Sequence, residues 1–100
     1  MHTMLRIYTG MPGVGPRFVA KKQDIESVLR SVKGFSGYRM IGTADGIVSV
    51  TICETKEGCD ESAKRAAEWL KANMPDLVAS PPKIIDGESL MSFGAKPAKT

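Results

Sequence analysis

The sequence predicts an α+β domain with the element order strand, helix, strand, strand, helix, strand. The segment GYRMIGTADGIVSVTICE, residues 37–54, holds two strand-like runs around Asp45-Gly46, a dipeptide typical of tight hairpins. A segment of helical periodicity flanks this hairpin on each side, and a further strand-like run lies beyond each helix. We therefore expect strands over residues 3–9, 38–43, 47–54 and 83–93.

The first helix is predicted to follow the loop MPGVGP, whose glycines and prolines interrupt regular structure. Pro16 suits the first turn of a helix, and Gly34 can supply the left-handed residue that ends it. Its apolar positions recur at helical spacing. They are Phe18, Ile25, Val28, Leu29 and Val32.

The second helix is predicted to begin at Asp60 as N-cap and to end at Met74, before Pro75. A short helical piece can follow over residues 75–78. The apolar face of the helix is rich in alanine, so the helix can lie close to a sheet. That face holds Ala63, Ala66, Ala67, Leu70 and Met74. Residues 1–93 are expected to form one domain, with 94–100 as a disordered tail.

This element order closes most simply as a ferredoxin-like sandwich, a four-stranded antiparallel sheet with two helices on one face. With Asp45-Gly46 as a two-residue turn, the hairpin would pair Thr43 with Val48, Ile41 with Val50, and Arg39 with Ile52. We expect these residues, with Leu5 and Ile7, to lie under the helices. The alternate positions would form the open face, together with Ile85, Met91 and Phe93 of strand four: Arg6, Tyr8, Tyr38, Met40, Ser49, Thr51 and Cys53. Such a mixed face suits a dimer contact or a ligand surface.

Composition excludes several function classes. A net charge of +3 is too small for a protein whose main partner is nucleic acid. An RNA-recognition motif would need aromatic residues in the strand GIVSVTIC, which has none. With two cysteines and one histidine, His2, the chain cannot supply four zinc ligands. The N-terminus lacks a signal-peptide pattern, no apolar run is long enough for a membrane span, and a reduced, cytoplasmic protein is expected.

Four segments carry a resemblance to a known family: VKGFSGYRMI, ADGIVSVTICE, AKRAAEWLKANM and PPKIIDGESL. Over about nine tenths of its length the chain resembles the dimeric α/β-barrel proteins, which include the antibiotic-biosynthesis monooxygenase-like and stress-responsive families. The resemblance implies a homodimer whose sheets pack face to face into a barrel. It also implies cofactor-free oxygenase chemistry as one possible activity. Haem ligation by a helix histidine is not carried over, because His2 is the only histidine.

Five residues are candidates for a pocket or an interface. Arg6, Tyr8 and Tyr38 share one sheet face and could bind a ligand carbonyl or carboxylate, or could pair across a dimer contact. Trp69 could stack on an aromatic ligand or pack on the rim of the core. Asn73 and Trp69 match the residue types of the oxygenase branch, although no motif position assigns them.

Three further features are weaker candidates. The loop TGMPGVGP precedes a helix and could hold an anion, but it matches no phosphate-binding motif and a plain connection is favoured. Cys53 lacks a histidine partner and is expected to be a buried structural thiol. Asp86 and Glu88 are expected to protect an edge strand from aggregation.

Two function hypotheses remain from the sequence. One is a dimeric, cofactor-free, monooxygenase-like enzyme that acts on a small apolar or aromatic molecule, with neither nucleic acid nor membrane as partner. The other is a non-enzymatic small-molecule-binding or structural dimer of the same fold. A defined cavity between the second helix and the sheet, lined by Trp69 and holding a ligand, would favour the enzyme. An interior filled by side chains would favour the alternative.

Overall fold

A four-stranded antiparallel sheet carries the helices on one face, and the predicted ferredoxin-like fold is confirmed. The computed structural model describes residues 1–77 and 81–94. The elements are β1 (His2–Tyr8), α1 (Gly15–Val19), α2 (Lys22–Arg30), β2 (Phe35–Thr43), β3 (Gly46–Cys53), α3 (Lys56–Asn73), a 3₁₀ turn (Pro75–Leu77) and β4 (Lys83–Glu88). The strands lie side by side in the order β2-β3-β1-β4. Both long crossovers, through α1–α2 and through α3, return to this one sheet.

The two faces of the sheet are the reverse of those predicted. Met4, Arg6 and Tyr8 of β1 are buried under the helices, and so are four alternate residues of β3. These four are Ile47, Ser49, Thr51 and Cys53. The prediction that Leu5 and Ile7 lie under the helices is therefore wrong. The prediction that Ile85 shares a face with Arg6 and Tyr8 is also wrong, because Ile85 pairs with Leu5. Strand alternation separates the two sets of residues, but it does not say which set the helices cover.

Aliphatic side chains form the centre of the open side of the sheet. We call this surface the aliphatic face, and it is formed by Leu5, Ile7, Ile41, Val48, Val50, Ile52 and Ile85. Ile41 and Ile85 on the two edge strands are 46% and 49% exposed. An apolar surface that runs across four strands is typical of a surface that another protein covers.

The β2–β3 hairpin is shifted by two residues from the predicted register. Thr43 pairs with Gly46, so Ala44 and Asp45 form the turn, and Ile41 rather than Thr43 pairs with Val48. A shift of two leaves every side chain on the same face as its predicted neighbours.

Gly46 is required for a close approach rather than for the turn itself. A Cβ atom at Gly46 would collide with the backbone carbonyl oxygen of Tyr8 and lie 3.3 Å from Met11. The N–H of Met11 donates to the carbonyl of Asp45 at 2.9 Å, which holds the loop after β1 against the turn. This crossing of two chain segments excludes a side chain at Gly46.

The predicted first helix is two helices. Lys21 leaves the helical region at φ −110° and ψ 21°, so α1 ends at Val19 and α2 begins at Lys22. Phe18 of α1 and Leu29 of α2 are both buried, as predicted from their spacing. Gly34 has a φ of +82°, but it lies beyond the end of α2, in the turn that leads into β2.

The helix α3 begins earlier than predicted. Thr55, not Asp60, is the N-cap, and its side-chain oxygen accepts a hydrogen bond from the N–H of Gly58 at 3.1 Å. Asp60 instead pairs with Lys56 at 2.9 Å along the exposed side of the helix. Gly58 lets the helix lie against the sheet, because a Cβ there would be 3.0 Å from the Cβ of Cys53.

The C-terminal part departs from the sequence prediction at two points. α3 stops just before Pro75, as predicted, and Ala67 is exposed rather than part of the apolar face. The strand β4 ends at Glu88 and not near Phe93, which is 88% exposed. Residue 78 of the predicted second helical piece and residues 95–100 of the predicted tail lie outside the described residues, and the domain span 1–93 stays a prediction.

Replacing Gly46 by alanine is expected to destabilise the protein. The new methyl group would force the backbone of Tyr8 away, and overpacking of this kind costs about 1–3 kcal/mol. Gly42→Ala is the matched control on the neighbouring strand, because a Cβ there meets nothing within 4 Å. Urea unfolding followed by circular dichroism should show a lower midpoint for Gly46→Ala alone. Equal midpoints for the two variants would contradict the close approach.

Candidate functional site

A narrow cavity lies between the helices and the sheet. Its free volume is about 30 Å³, enough for one or two water molecules. The helices contribute mainly apolar side chains to its wall, and the sheet contributes the polar ones. The lining residues are Arg6, Tyr8, Phe18, Ile25, Val28, Leu29, Tyr38, Met40, Ile47, Ser49, Ala66, Trp69 and Leu70.

A wider cleft adjoins this cavity on its α2 side. The cleft runs between α1–α2 and β2 and has a volume of about 430 Å³, within the range of small-molecule sites. It shares five lining residues with the cavity, so the cavity forms its inner end. These shared residues are Phe18, Ile25, Leu29, Tyr38 and Met40.

Four of the five candidates from the sequence meet at the cavity. Arg6, Tyr8, Tyr38 and Trp69 all line it, although the face that carries the first three was predicted to be open. Asn73 is not brought to it, since its side-chain amide donates to the carbonyl of Trp69 at 2.9 Å on the exposed side of α3. The structure therefore groups the sheet residues with Trp69 and leaves Asn73 outside.

Arg6 is a buried cation without a buried anion. Arg6 is only 4% exposed, and its Nε donates a hydrogen bond to the hydroxyl of Ser49 at 3.1 Å. Its Nη1 is buried and has no hydrogen-bond partner. No carboxylate forms an ion pair with it among the described residues. Burying a guanidinium in this way costs several kcal/mol, because its hydration is lost without an ionic partner.

The two tyrosines add neutral donors beside this charge. Burial raises the pKa of Tyr8 above its ordinary value, and the positive charge of Arg6 offsets part of that rise. Burial also raises the pKa of Tyr38, while Arg6 and the hydroxyl of Ser49 act to lower it. Both phenols therefore keep their protons at neutral pH and can donate hydrogen bonds. The sheet side of the cavity presents one fixed positive charge and several hydroxyl groups.

Sequence reasoning missed the part that Ser49 plays. Ser49 is 1% exposed, lies directly opposite Arg6 across β1 and β3, and is the only described partner of its Nε. The available signal was a serine in the middle of the aliphatic run GIVSVTIC. Phe18 was predicted as core, and its place in the cavity wall depends on the break between α1 and α2.

The two cysteines belong to a separate, filled cluster with Met4 and Val32. Both are free and buried, in keeping with the predicted structural role of Cys53. Burial raises the pKa of Cys53 and raises that of Cys59 to about 11. The thiol of Cys59 donates to the carbonyl of His2 at 3.3 Å. Both shifts favour the neutral thiol over the thiolate.

The loop before α1 is a packed connection. Its Met11 and Val14 are buried in the core cluster around the cavity. Arg17 makes two hydrogen bonds to the carboxylate of Asp76, at 2.8 and 3.0 Å, and is thereby occupied. These contacts favour the plain strand–helix connection over an anion site.

The residues around the cavity do not fit a metal or a haem. Within residues 1–77 and 81–94, no group of three or more His, Cys, Asp or Glu side chains could hold a metal ion. The cavity wall has no histidine, and His2 lies at the other end of β1 with its ring on Asp86 at 2.7 Å. In the part of the chain that is described, no helix is long and apolar enough to span a bilayer.

Neither family models nor curated proteins match this chain. Several solved structures do match it. A haem degrader, MhuD from Mycobacterium tuberculosis with two haems in its active site, matches 94% of this chain and 100% of its own, at 15% identity and a TM-score of 0.67.

Two further structures show the same likeness. A Bordetella bronchiseptica protein assigned to the antibiotic-biosynthesis monooxygenases matches 90% of this chain and 97% of its own, at 14% identity and a TM-score of 0.70. A variant of SnoaB, a cofactor-independent oxygenase from Streptomyces nogalater, matches 92% of this chain and 95% of its own, at 11% identity and a TM-score of 0.65. At these identities the likeness concerns the fold. This chain therefore has the same ferredoxin-like fold as these three structures.

Proposed function

We propose that this protein is a homodimeric α/β barrel that acts as a cofactor-free, monooxygenase-like enzyme on a small apolar or aromatic molecule. The observation that carries the proposal is the convergence of Arg6, Tyr8, Tyr38 and Trp69 on one cavity at the inner end of an open cleft. A core that served stability alone would place aliphatic side chains at these positions, since buried polar groups are costly.

The walls of the site select the class of ligand. Phe18, Ile25, Leu29 and Met40 line both the cleft and the cavity, and Trp69 closes the cavity from α3. Such a wall removes an apolar or aromatic ring from water, and an indole can stack on it. The hydroxyl groups and the guanidinium on the sheet side would fix the orientation of the ring.

When no cofactor takes part, the substrate itself must supply all the electrons that reduce dioxygen. Dioxygen accepts four electrons. In a reaction of this class a ring CH₂ becomes a carbonyl, one oxygen atom enters the product, and the two hydrogens leave with the other atom as water. The absence of histidine, cysteine and carboxylate side chains from the cavity wall supports this class of chemistry. The fold shared with a cofactor-independent oxygenase supports it as well.

The aliphatic face supports the dimer. Its seven aliphatic side chains cross all four strands, and two copies could bury them by packing sheet against sheet. Arg39 and Lys83 lie at the margins of this face, where a polar rim of an interface is expected. Thus the dimer contact is proposed for the open face of the sheet, as the sequence predicted, but through the aliphatic residues and not through Arg6, Tyr8 and Tyr38.

One observation favours the alternative of a non-enzymatic binding or structural dimer. The inner cavity holds about 30 Å³, so a substrate ring can reach Arg6 only if the helices move apart. A protein whose helices stay closed would bind ligands in the outer cleft alone and would perform no chemistry at the cavity.

A charge in the centre of the aliphatic face should break the dimer. Val50 pairs with Leu5 and Arg39 in the middle of the sheet, so Val50→Lys would place an ammonium between the two sheets. We expect the wild type at twice the chain mass of 10.8 kDa and the variant at 10.8 kDa in light scattering. Ala67→Lys, on the exposed side of α3, is the control and should remain a dimer. A monomeric wild type would exclude the barrel dimer.

Oxygenation is tested directly with anthrone, an aromatic compound that carries an activated ring CH₂. We expect oxygen consumption without added metal or nicotinamide, unchanged by a chelator, and one labelled oxygen atom in the product from labelled dioxygen. Trp69→Phe should lower kcat/KM by about two- to tenfold, the worth of an aromatic contact. The adjacent exposed Glu68→Gln serves as control. Binding of anthrone without oxygen consumption would replace the enzyme with the binding alternative, and full activity in Trp69→Phe would remove Trp69 from the site.

A further inference from the structure

One hydrogen-bond donor of the buried Arg6 guanidinium has no partner among the described residues. Nε is occupied by Ser49, while Nη1 is buried and meets no acceptor among the described residues. The residue as a whole lines the cavity. A guanidinium carries its donors in a fixed planar fork, so the direction of Nη1 is set once Nε is bound. The fork therefore presents a donor that the protein does not use.

Among residues 1–77 and 81–94, no carboxylate forms an ion pair with Arg6 that could account for its burial. The side chains that line the cavity include no aspartate and no glutamate. The nearest polar groups are hydroxyls, and the pKa of each tyrosine is raised by burial, so they also stand ready as donors. A water molecule in the cavity would not neutralise the charge of the guanidinium.

We infer that Arg6 is the binding site for an anionic oxygen of the ligand, a carboxylate or a phenolate attached to an aromatic or apolar body. This inference rests on the cleft of the proposed function and specifies the ligand class for it. The ligand body would lie against Phe18, Met40 and Trp69, and its charged oxygen would accept from Nη1. A tyrosine hydroxyl can donate the second hydrogen bond. A hydrogen bond between two charged groups is stronger than one between neutral groups, and Arg6 is only 4% exposed.

Isothermal titration calorimetry with two ring-matched probes tests the charge. 2-Naphthoate and 2-naphthamide share the same ring system, and they differ in whether the terminal group is anionic. We expect the wild type to bind 2-naphthoate about ten- to a hundredfold more tightly, the range for a hydrogen bond to a charged group in a buried site. The indole N–H signal of Trp69, the chain's only tryptophan, should shift in a heteronuclear NMR spectrum and so locate both probes.

Variants at Arg6 assign the preference to that residue. Arg6→Met keeps the length of the side chain and removes the charge, so the preference for 2-naphthoate should disappear. Arg6→Lys keeps the charge without the fork and should retain part of the preference. Lys64→Met makes the same change in net charge on the exposed side of α3 and should leave the preference unchanged.

Unfolding in urea separates a ligand-binding role from a structural one. Arg6→Met removes an uncompensated buried charge, so its midpoint should equal or exceed that of the wild type. A lower midpoint together with an unchanged preference for 2-naphthoate would make Arg6 a structural residue and would overturn the inference.

The remaining outcomes separate this inference from the proposed function. Equal binding of the two probes, with the Trp69 signal shifted by both, would overturn the anion site and leave the cleft as a binding site. If neither probe binds, both the anion site and the aromatic-binding cleft are excluded for rings of this size. 2-Naphthol identifies the source of the anion, because its absorption moves to longer wavelength when it binds as the phenolate.

Discussion

The alternation of side chains along β1 and β3 is the constraint that links the two surfaces of this protein. Arg6 and Ser49 lie opposite each other under the helices, so their chain neighbours Leu5 and Val50 must point to the other side of the sheet. The polar cavity and the aliphatic face are therefore made by the same two strands. A change of register by one residue would exchange them, which would bury the aliphatic side chains under the helices and expose the guanidinium.

This constraint explains which parts of the structure could be predicted from the sequence. The element order follows from local periodicity, and the grouping of Arg6, Tyr8 and Tyr38 on one face survives the register error because the error is an even number of residues. The identity of the covered face could not be predicted, because an apolar face can be buried by helices or by a second sheet. From hydrophobicity alone, we predicted that the helices cover the aliphatic face. In the structure they cover the opposite face, which carries Arg6, Tyr8 and Tyr38 and forms the sheet side of the cavity.

The local errors have a common physical origin in tertiary contacts. Asp45-Gly46 is typical of a tight turn, yet Gly46 lies in β3 because the backbone of Tyr8 passes too close for a side chain. The segment before Asp60 looks like a polar turn, yet Gly58 is inside α3 because the helix rests on Cys53. In both places glycine indicates a close approach between distant segments, and a single sequence carries no record of such an approach.

The two ends of β1 and α3 differ in how tightly they are packed. Met4, Cys53 and Cys59 form a filled cluster that joins the start of β1 to the first turns of α3, and its residues are almost fully buried. Trp69 lies at the other end of α3, over the cavity. The helices α1 and α2 form the opposite wall of the cavity. This wall is interrupted at Lys21, and most of its length borders the open cleft. Two packed elements separate at the lowest cost where the fewest apolar contacts are lost. We therefore expect a ligand to enter by displacement of α2. The strand β1 and the helix α3 would keep Arg6 and Trp69 in place.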